Sequence, residues 1–238
     1  MILRKLVKPM VLIMCVAVIA YALFSMGEGR GPLDYYKHID DTAFSVDGKD
    51  VTFKDLAFYI LYEEGKIEEQ AKIYNPDYTK DYWNIHTNDT FIQLEAKDVI
   101  LGMAEHDELF YQLAVKEGMD TLTMDEESDL AYAITDFWED RLDVQMDNLP
   151  CDKETINQQM KKAAIAEKYQ DYLAETKGPS VAAYNYDGYY YSLIKEEHEI
   201  KINKKLWDKL VLGDITLEHS KLNYINGLTD ADKKKSKD

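Results

Sequence analysis

Ala43-Phe44-Ser45-Val46-Asp47-Gly48-Lys49-Asp50-Val51-Thr52 is the stretch on which the fold turns. Asp-Gly tolerates the positive φ angles of a type I′ turn, so the flanking residues read as a tight β-hairpin. Thr52 with Asp55 three residues on has the spacing of a capping box, which starts a helix. Phe53, Leu56, Tyr59 and Ile60 then recur at helical spacing, and Asn75-Pro76 ends the helix near Tyr74.

Downstream, residues 75–88 read as a polar-aromatic loop. The next helix is expected to start after Asn88 or Asp89. It carries Phe91, Leu94, Val99, Leu101, Leu109, Phe110 and Leu113 to a stop at Gly118. Thr123 and Glu126 make a second capping box for a helix with Leu130, Ile134, Phe137, Trp138 and Leu142, broken at Asn148-Leu149-Pro150. Asp152 caps a fourth helix that ends at Gly178-Pro179. A tyrosine-rich helix is expected from Tyr184 to Glu197. Glu199 to Asn203 alternates like a short strand. Leu206, Trp207, Leu210 and Val211 suit a helical turn, and residues 213–217 read as extended. The fold expected is mainly α: four to six helices with a two- or three-stranded sheet.

Upstream, Arg4, Lys5 and Lys8 precede an uncharged run over residues 9–26, and Gly27-Glu28-Gly29-Arg30-Gly31-Pro32 follows. This is the pattern of an export signal or an N-terminal anchor. The run matches the roughly 20 residues of a spanning helix, which favours a transmembrane anchor, while Ser25-Met26-Gly27 also fits a cleavage site. Basic residues before the span and acidic ones after it place residues 1–8 inside and the remainder outside. The organisation expected is a basic N-terminus (1–8), anchor or signal (9–26), linker (27–40), helical domain (41–228) and disordered tail (229–238). The tail contains Lys233-Lys234-Lys235.

The net charge is −17 over 238 residues. Residues 1–31 carry Arg4, Lys5, Lys8 and Arg30 against Glu28, a net of +3, which leaves −20 on the rest. Such acidity repels nucleic acid and anionic lipid, so neither is an expected partner of the domain. Spread along helices, it reads as solvated surface. Cys15 lies inside the span and Cys151 outside it in this topology, so no intrachain disulfide is expected.

No strong catalytic pattern emerges. The histidines lack zinc spacing, and His106-Asp107-Glu108 are adjacent on a helix and point different ways. Phosphate-binding and G-x-S-x-G loops are missing, and Cys151 reads as structural. Neither a catalytic residue nor a cofactor is therefore assigned. The aromatic side chains are the best binding candidates: Phe58, Tyr59 and Tyr62; Tyr82 and Trp83; Phe110 and Tyr111; Phe137 and Trp138; Tyr189 and Tyr190. Amphipathic rings give contact area at low entropy cost, although helix packing explains any one of them as well.

The order of elements has a family likeness. Val46-Asp47-Gly48-Lys49-Asp50-Val51-Thr52 opens the domain. Ala114-Val115-Lys116-Glu117-Gly118 closes the long helix, Leu122-Thr123 follows, and Ala166-Glu167-Lys168-Tyr169 comes later. Over residues 43–215 this resembles the N-terminal chaperone domain of the SurA/PrsA group of exported peptidyl-prolyl isomerases, and the C-terminal domain of trigger factor is similar. Residues 198–203, Trp207 and Gly213-Asp214-Ile215-Thr216 resemble the return segment that completes such a domain. Full-length members insert a parvulin isomerase domain where this chain has only Glu175 to Ala183. The resemblance thus implies a membrane-anchored extracytoplasmic chaperone that binds unfolded or newly exported polypeptides, and it argues against isomerase activity. An isomerase or foldase with an unrecognised site is one alternative. A dedicated subunit of a secretion or envelope complex is the other.

Overall fold

The structure, a computed structural model, describes residues 31–87, 90–217 and 219. The anchor over residues 9–26 and the tail over 229–238 lie outside them. Among the described residues no helix is long and apolar enough to cross a membrane.

The hairpin forms as expected. Strand β1 (Thr42–Val46) pairs antiparallel with β2 (Lys49–Thr52). Asp47 and Gly48 both take positive φ, 49° and 79°, as a type I′ turn requires. Asp47 has a second task. Its carboxylate accepts from Glu199 N at 2.8 Å and lies 2.6 Å from His198 Nδ1. The turn therefore holds the entry to a strand 150 residues away in the chain. That strand, labelled β5 (Ile200–Ile202), pairs antiparallel with the other edge of β1, and the sheet runs β2-β1-β5.

The first capping box forms too. Thr52 N donates to Asp55 Oδ2 at 2.8 Å, and Asp55 N to Thr52 Oγ1 at 3.3 Å. A 3-10 turn over Lys54–Leu56 leads into helix α1 (Ala57–Tyr74). This helix is buried on most of its circumference, with Tyr59, Ile60, Leu61, Ile67 and Ala71 in the interior.

Residues 86–91 depart from expectation. His86–Thr87 (β3) and Thr90–Phe91 (β4) pair as a small hairpin, and helix α2 begins only at Ile92, running to Lys116. Phe91 is extended because its ring packs edge-on against His86 at 4.9 Å and Ile92 N bonds Ile85 O. Gly118, at φ 73°, follows the helix end.

The second capping box is complete, with Thr123 N to Glu126 Oε2 at 2.6 Å and Glu126 N to Thr123 Oγ1 at 3.3 Å. It opens α3 (Met124–Glu139), which stops short of Leu142. There Arg141 Nε donates to Phe137 O at 2.9 Å, satisfying a terminal carbonyl, and Leu142 turns extended to start a separate helix α4 (Asp143–Asp147). Asp152 caps α5 (Lys153–Lys177), which ends at left-handed Gly178.

The tyrosine-rich helix expected from Tyr184 to Glu197 is shorter: a 3-10 turn at Val181–Tyr184 precedes a break, and helix α6 covers only Tyr189–Lys195. Gly188 N bonds Asn185 O at 2.7 Å in the break between them. A Cβ on Gly188 would lie 2.4 Å from Ala183 O, so the fold requires glycine there. A short helix α7 (Lys204–Trp207) follows β5. Residues 213–217 are a run of bends rather than a strand, because Gly213 N and Thr216 N turn toward the same carboxylate, that of Glu64.

The main core joins the sheet, α1, α2, α5 and the closing segment through Phe44, Phe53, Ile60, Leu109, Trp207 and Leu212. A smaller cluster of Ala57, Leu61, Phe137, Ile156 and Met160 fastens the end of α3.

The expectation that acidic residues form solvated surface fails at several positions. Glu63, Glu64, Glu68, Glu105 and Glu108 are all buried. Each of these carboxylates has a partner. Glu63 meets Lys66, Glu105 meets Lys195, and Glu108 meets Lys162, Lys49 and Gln112. Glu68 accepts from Trp83 Nε1, and Glu64 is held by backbone.

Candidate functional site

A cleft of about 960 Å³ lies between α3 and α5, floored by α1 and α2 and closed at one side by residues 181–186. Its walls run antiparallel, as two pairs of contacts fix. Lys168 meets Glu126 at 2.8 Å near one end, and Trp138 Nε1 donates to Asn157 Oδ1 at 2.8 Å near the other.

Helical periodicity builds each wall. On α5, Met160, Ala163, Ala164, Glu167, Lys168 and Asp171 share one stripe. On α3, Glu126, Asp129, Leu130 and Ala133 do the same. The small alanines leave the space that larger side chains would fill. Phe58 and Tyr62 from α1 and Met103 from α2 add apolar floor. Wall α3 is attached mainly at its ends. Phe137 is its only buried residue, while Met124 and Tyr132 are 88% and 70% exposed.

The two ends differ in polarity. At the apolar end Phe58 packs on Phe137 at 5.3 Å beside Met160. Toward the other end the lining holds Glu126, Asp129, Glu167 and Asp171. Glu126 is engaged by Lys168 and by Thr123, which lowers its pKa. Asp129, Glu167 and Asp171 form no ion pair among the described residues. Burial, with Asp171 and Asp107 nearby, raises the Glu167 carboxyl above its ordinary value.

A hydrogen-bonded row crosses the floor. Tyr59 Oη donates to Asp107 Oδ2 at 2.9 Å, His106 Nδ1 lies 2.8 Å from Asp107 Oδ1, and His106 Nε2 lies 3.0 Å from Tyr184 O. The row ties α1, α2 and the 181–184 turn together. Burial, then Asp107, pushes the Tyr59 phenol well above its usual range, so Tyr59 stays a donor. Tyr186 lies over Gly102, whose missing Cβ would stand 2.8 Å from the ring.

Of the aromatic candidates, Phe58, Tyr59 and Tyr62 line this cleft. Phe137 packs on Phe58 at its apolar end, and Trp138 lies beside Phe137. The others are elsewhere. Trp83 and Phe110 have no exposed surface and belong to the core, which corrects their assignment as contact residues. Trp83 is spent on Glu68, and Phe110 packs among His106, Tyr169 and Tyr191. Tyr82 bonds Gln70 and stacks near Tyr74 at the far end of α1. Tyr111 lies under the ammonium groups of Lys49 and Lys162, each 5.3 Å from its ring. Tyr189 and Tyr190 are exposed on α6, where Tyr189 edges a smaller cavity of about 480 Å³.

Cleft residues outside the candidate list include Met103, Leu130, Met160, Glu167 and Asp171. Their signal was present as stripes on three helices, but a stripe marks a covered face without saying what covers it. Cys151 is half-buried, and burial, then Asp152, pushes its thiol up to about 11. Among the described residues no group of three or more His, Cys, Asp or Glu could hold a metal ion. Compared with known proteins, the chain matches no family model, no curated protein and no solved structure.

Proposed function

We propose that the protein is a membrane-tethered, extracytoplasmic chaperone-like factor that holds unfolded or newly exported polypeptides in the α3–α5 cleft, without covalent chemistry. The observation that carries this reading is the cleft itself: about 960 Å³, lined by Phe58, Tyr62, Met103, Leu130 and Met160, with one wall attached mainly at its ends. Apolar and amphipathic side chains accept many sequences. Mass action suffices for holding, since binding the unfolded chain suppresses its aggregation. The tether rests on residues 9–26, and the resemblance over residues 43–215 points the same way.

The test uses the full chain in mild detergent at near-stoichiometric ratio to an unrelated aggregating protein. Suppression of light scattering is expected, and Tyr62→Asp with Leu130→Asp should abolish it while leaving the thermal transition in place. Prolyl isomerisation of a short peptide is expected to run at the uncatalysed rate. Acceleration would support the isomerase alternative instead.

A second reading has its own observation. Ile73, Tyr74 and Tyr78 are exposed at the end of α1 and in the following loop, at 87%, 64% and 69%. A dedicated subunit of an envelope complex would use such a patch. Crosslinking in membranes from this position, with no suppression of aggregation, would favour it.

A further inference from the structure

We infer, resting on the polypeptide-binding reading, that the cleft selects extended segments in which a lysine or arginine lies about three residues from a large apolar side chain.

Both features come from the order of residues along α5. Met160 marks the apolar end and Glu167 the acidic end, seven residues apart on one stripe. At 1.5 Å rise per residue that is roughly 10 Å. An extended peptide advances about 3.3 Å per residue, so roughly three residues cover the distance. Leu130 faces the apolar end from α3, and Asp129 stands next to it toward the acidic one.

The charge balance sets the sign of the occupant. The lining holds Asp107, Glu126, Asp129, Glu167 and Asp171 against a single lysine, Lys168. Lys168 is already engaged by Glu126 and by Thr121 O. Asp107 is engaged by Tyr59 and His106. Asp129, Glu167 and Asp171 are exposed and form no ion pair among the described residues, so they are open to an incoming cation. Glu167 and Asp171 are one helical turn apart on the same face, a like-charge spacing that is unfavourable alone. A cation between them relieves that repulsion, and an acidic peptide adds to it. Partial burial first, and after it Asp171 and Asp107, raise the Glu167 carboxyl.

Three fluorescent nonapeptides test the inference, identical except at the position three residues after a central leucine, which is lysine, serine or glutamate. Each is titrated by anisotropy into the full chain in detergent. The lysine peptide should bind about tenfold tighter than the glutamate peptide at low salt, and high salt should shrink the gap. Glu167→Gln with Asp171→Asn should erase the gap and leave serine-peptide affinity in place. Moving the lysine next to the leucine should weaken binding.

Equal affinity for all three peptides would overturn the charge selection while leaving the cleft reading intact. No binding by any of them would overturn the cleft reading itself. Replacing Lys233, Lys234 and Lys235 with glutamine gives a last check. If lysine-peptide binding then tightens several-fold, the chain's own basic segment holds the cleft, which would overturn an external occupant.

Discussion

Glu64 is the residue whose chemistry is most at odds with its composition class. It is fully buried on α1, and no cation neutralises it among the described residues. Its oxygens accept from Gly213 N at 2.5 Å, Thr216 N at 2.8 Å and Thr216 Oγ1 at 2.5 Å. Burial raises its pKa, and these bonds oppose the rise without cancelling it. Glu64→Gln keeps the shape but turns one acceptor into a donor facing donors. We expect a loss of about 2–3 kcal/mol, read as a lower midpoint in urea. Glu68, one turn along, behaves oppositely. Burial works to raise its carboxyl, but bonds from His219, Thr79 and Trp83 hold it below the ordinary 4.5. A depressed carboxylate stabilises the fold above its unfolded pKa, and that stability is lost as pH falls through the folded value. Glu68→Gln should therefore lower stability at neutral pH and flatten its decline on the acid side of 4.5. Urea titrations of both proteins across that range check the sign.

At the scale of elements, two joints decide how the helices sit. Helix α4 approaches α1 at Gly65, where Arg141 Nη1 and Gln145 Nε2 both donate to Leu61 O, at 3.0 and 2.9 Å. A Cβ at Gly65 would lie 2.8 Å from Gln145 Oε1 and 3.1 Å from Arg141 Nη1. Because Gln145 is fully buried and has little room to retreat, Gly65→Ala should cost about 1–3 kcal/mol by overpacking. Gly48→Ala meets no atom and is strained only through its φ of 79°, so it should cost less, about 1 kcal/mol. Thermal melts of the two variants give the comparison. The second joint is the α3 cap. Thr123→Ala removes one half of the box at a cost of about 1 kcal/mol. Because little of α3 is buried, the loss should appear as faster amide exchange confined to its first turns rather than as global unfolding. These caps and turns were legible in the sequence, since Asp47-Gly48, Thr52–Asp55, Thr123–Glu126, Asp152 and Gly178 act over a few residues. The end of α3 at Glu139 was not, since it depends on Arg141 folding back onto Phe137 O. In the break of the tyrosine-rich segment Tyr186 lies over Gly102, 84 residues earlier in the chain, a contact that periodicity does not reveal.

Across the whole molecule the same division holds. Helical content and the small sheet follow from periodicity, whereas the buried carboxylates do not, because a glutamate on a helix reads as solvated until its partner is placed. The cleft was half legible: Phe58, Tyr59 and Tyr62 were singled out by type, but Trp83 and Phe110 share that type and lie in the core. Closure of the domain rests on its last described residues. Trp207, Leu210, Leu212, Ile215 and Leu217 are buried, and β5 completes the sheet. A chain cut after residue 199 should lose cooperative unfolding and digest rapidly with protease, while a cut after 219 keeps every bond described above. The arrangement of β1 also has a temporal side. Its second edge waits for Ile200–Ile202, and the Glu64 carboxylate waits for Gly213 and Thr216. A nascent chain that emerges amino end first thus spends nearly its whole passage with an open β edge and with the Glu64 carboxylate lacking its donors. The segment from Ile200 to Leu217 acts as a latch, and until it arrives the molecule is itself in the condition of a client.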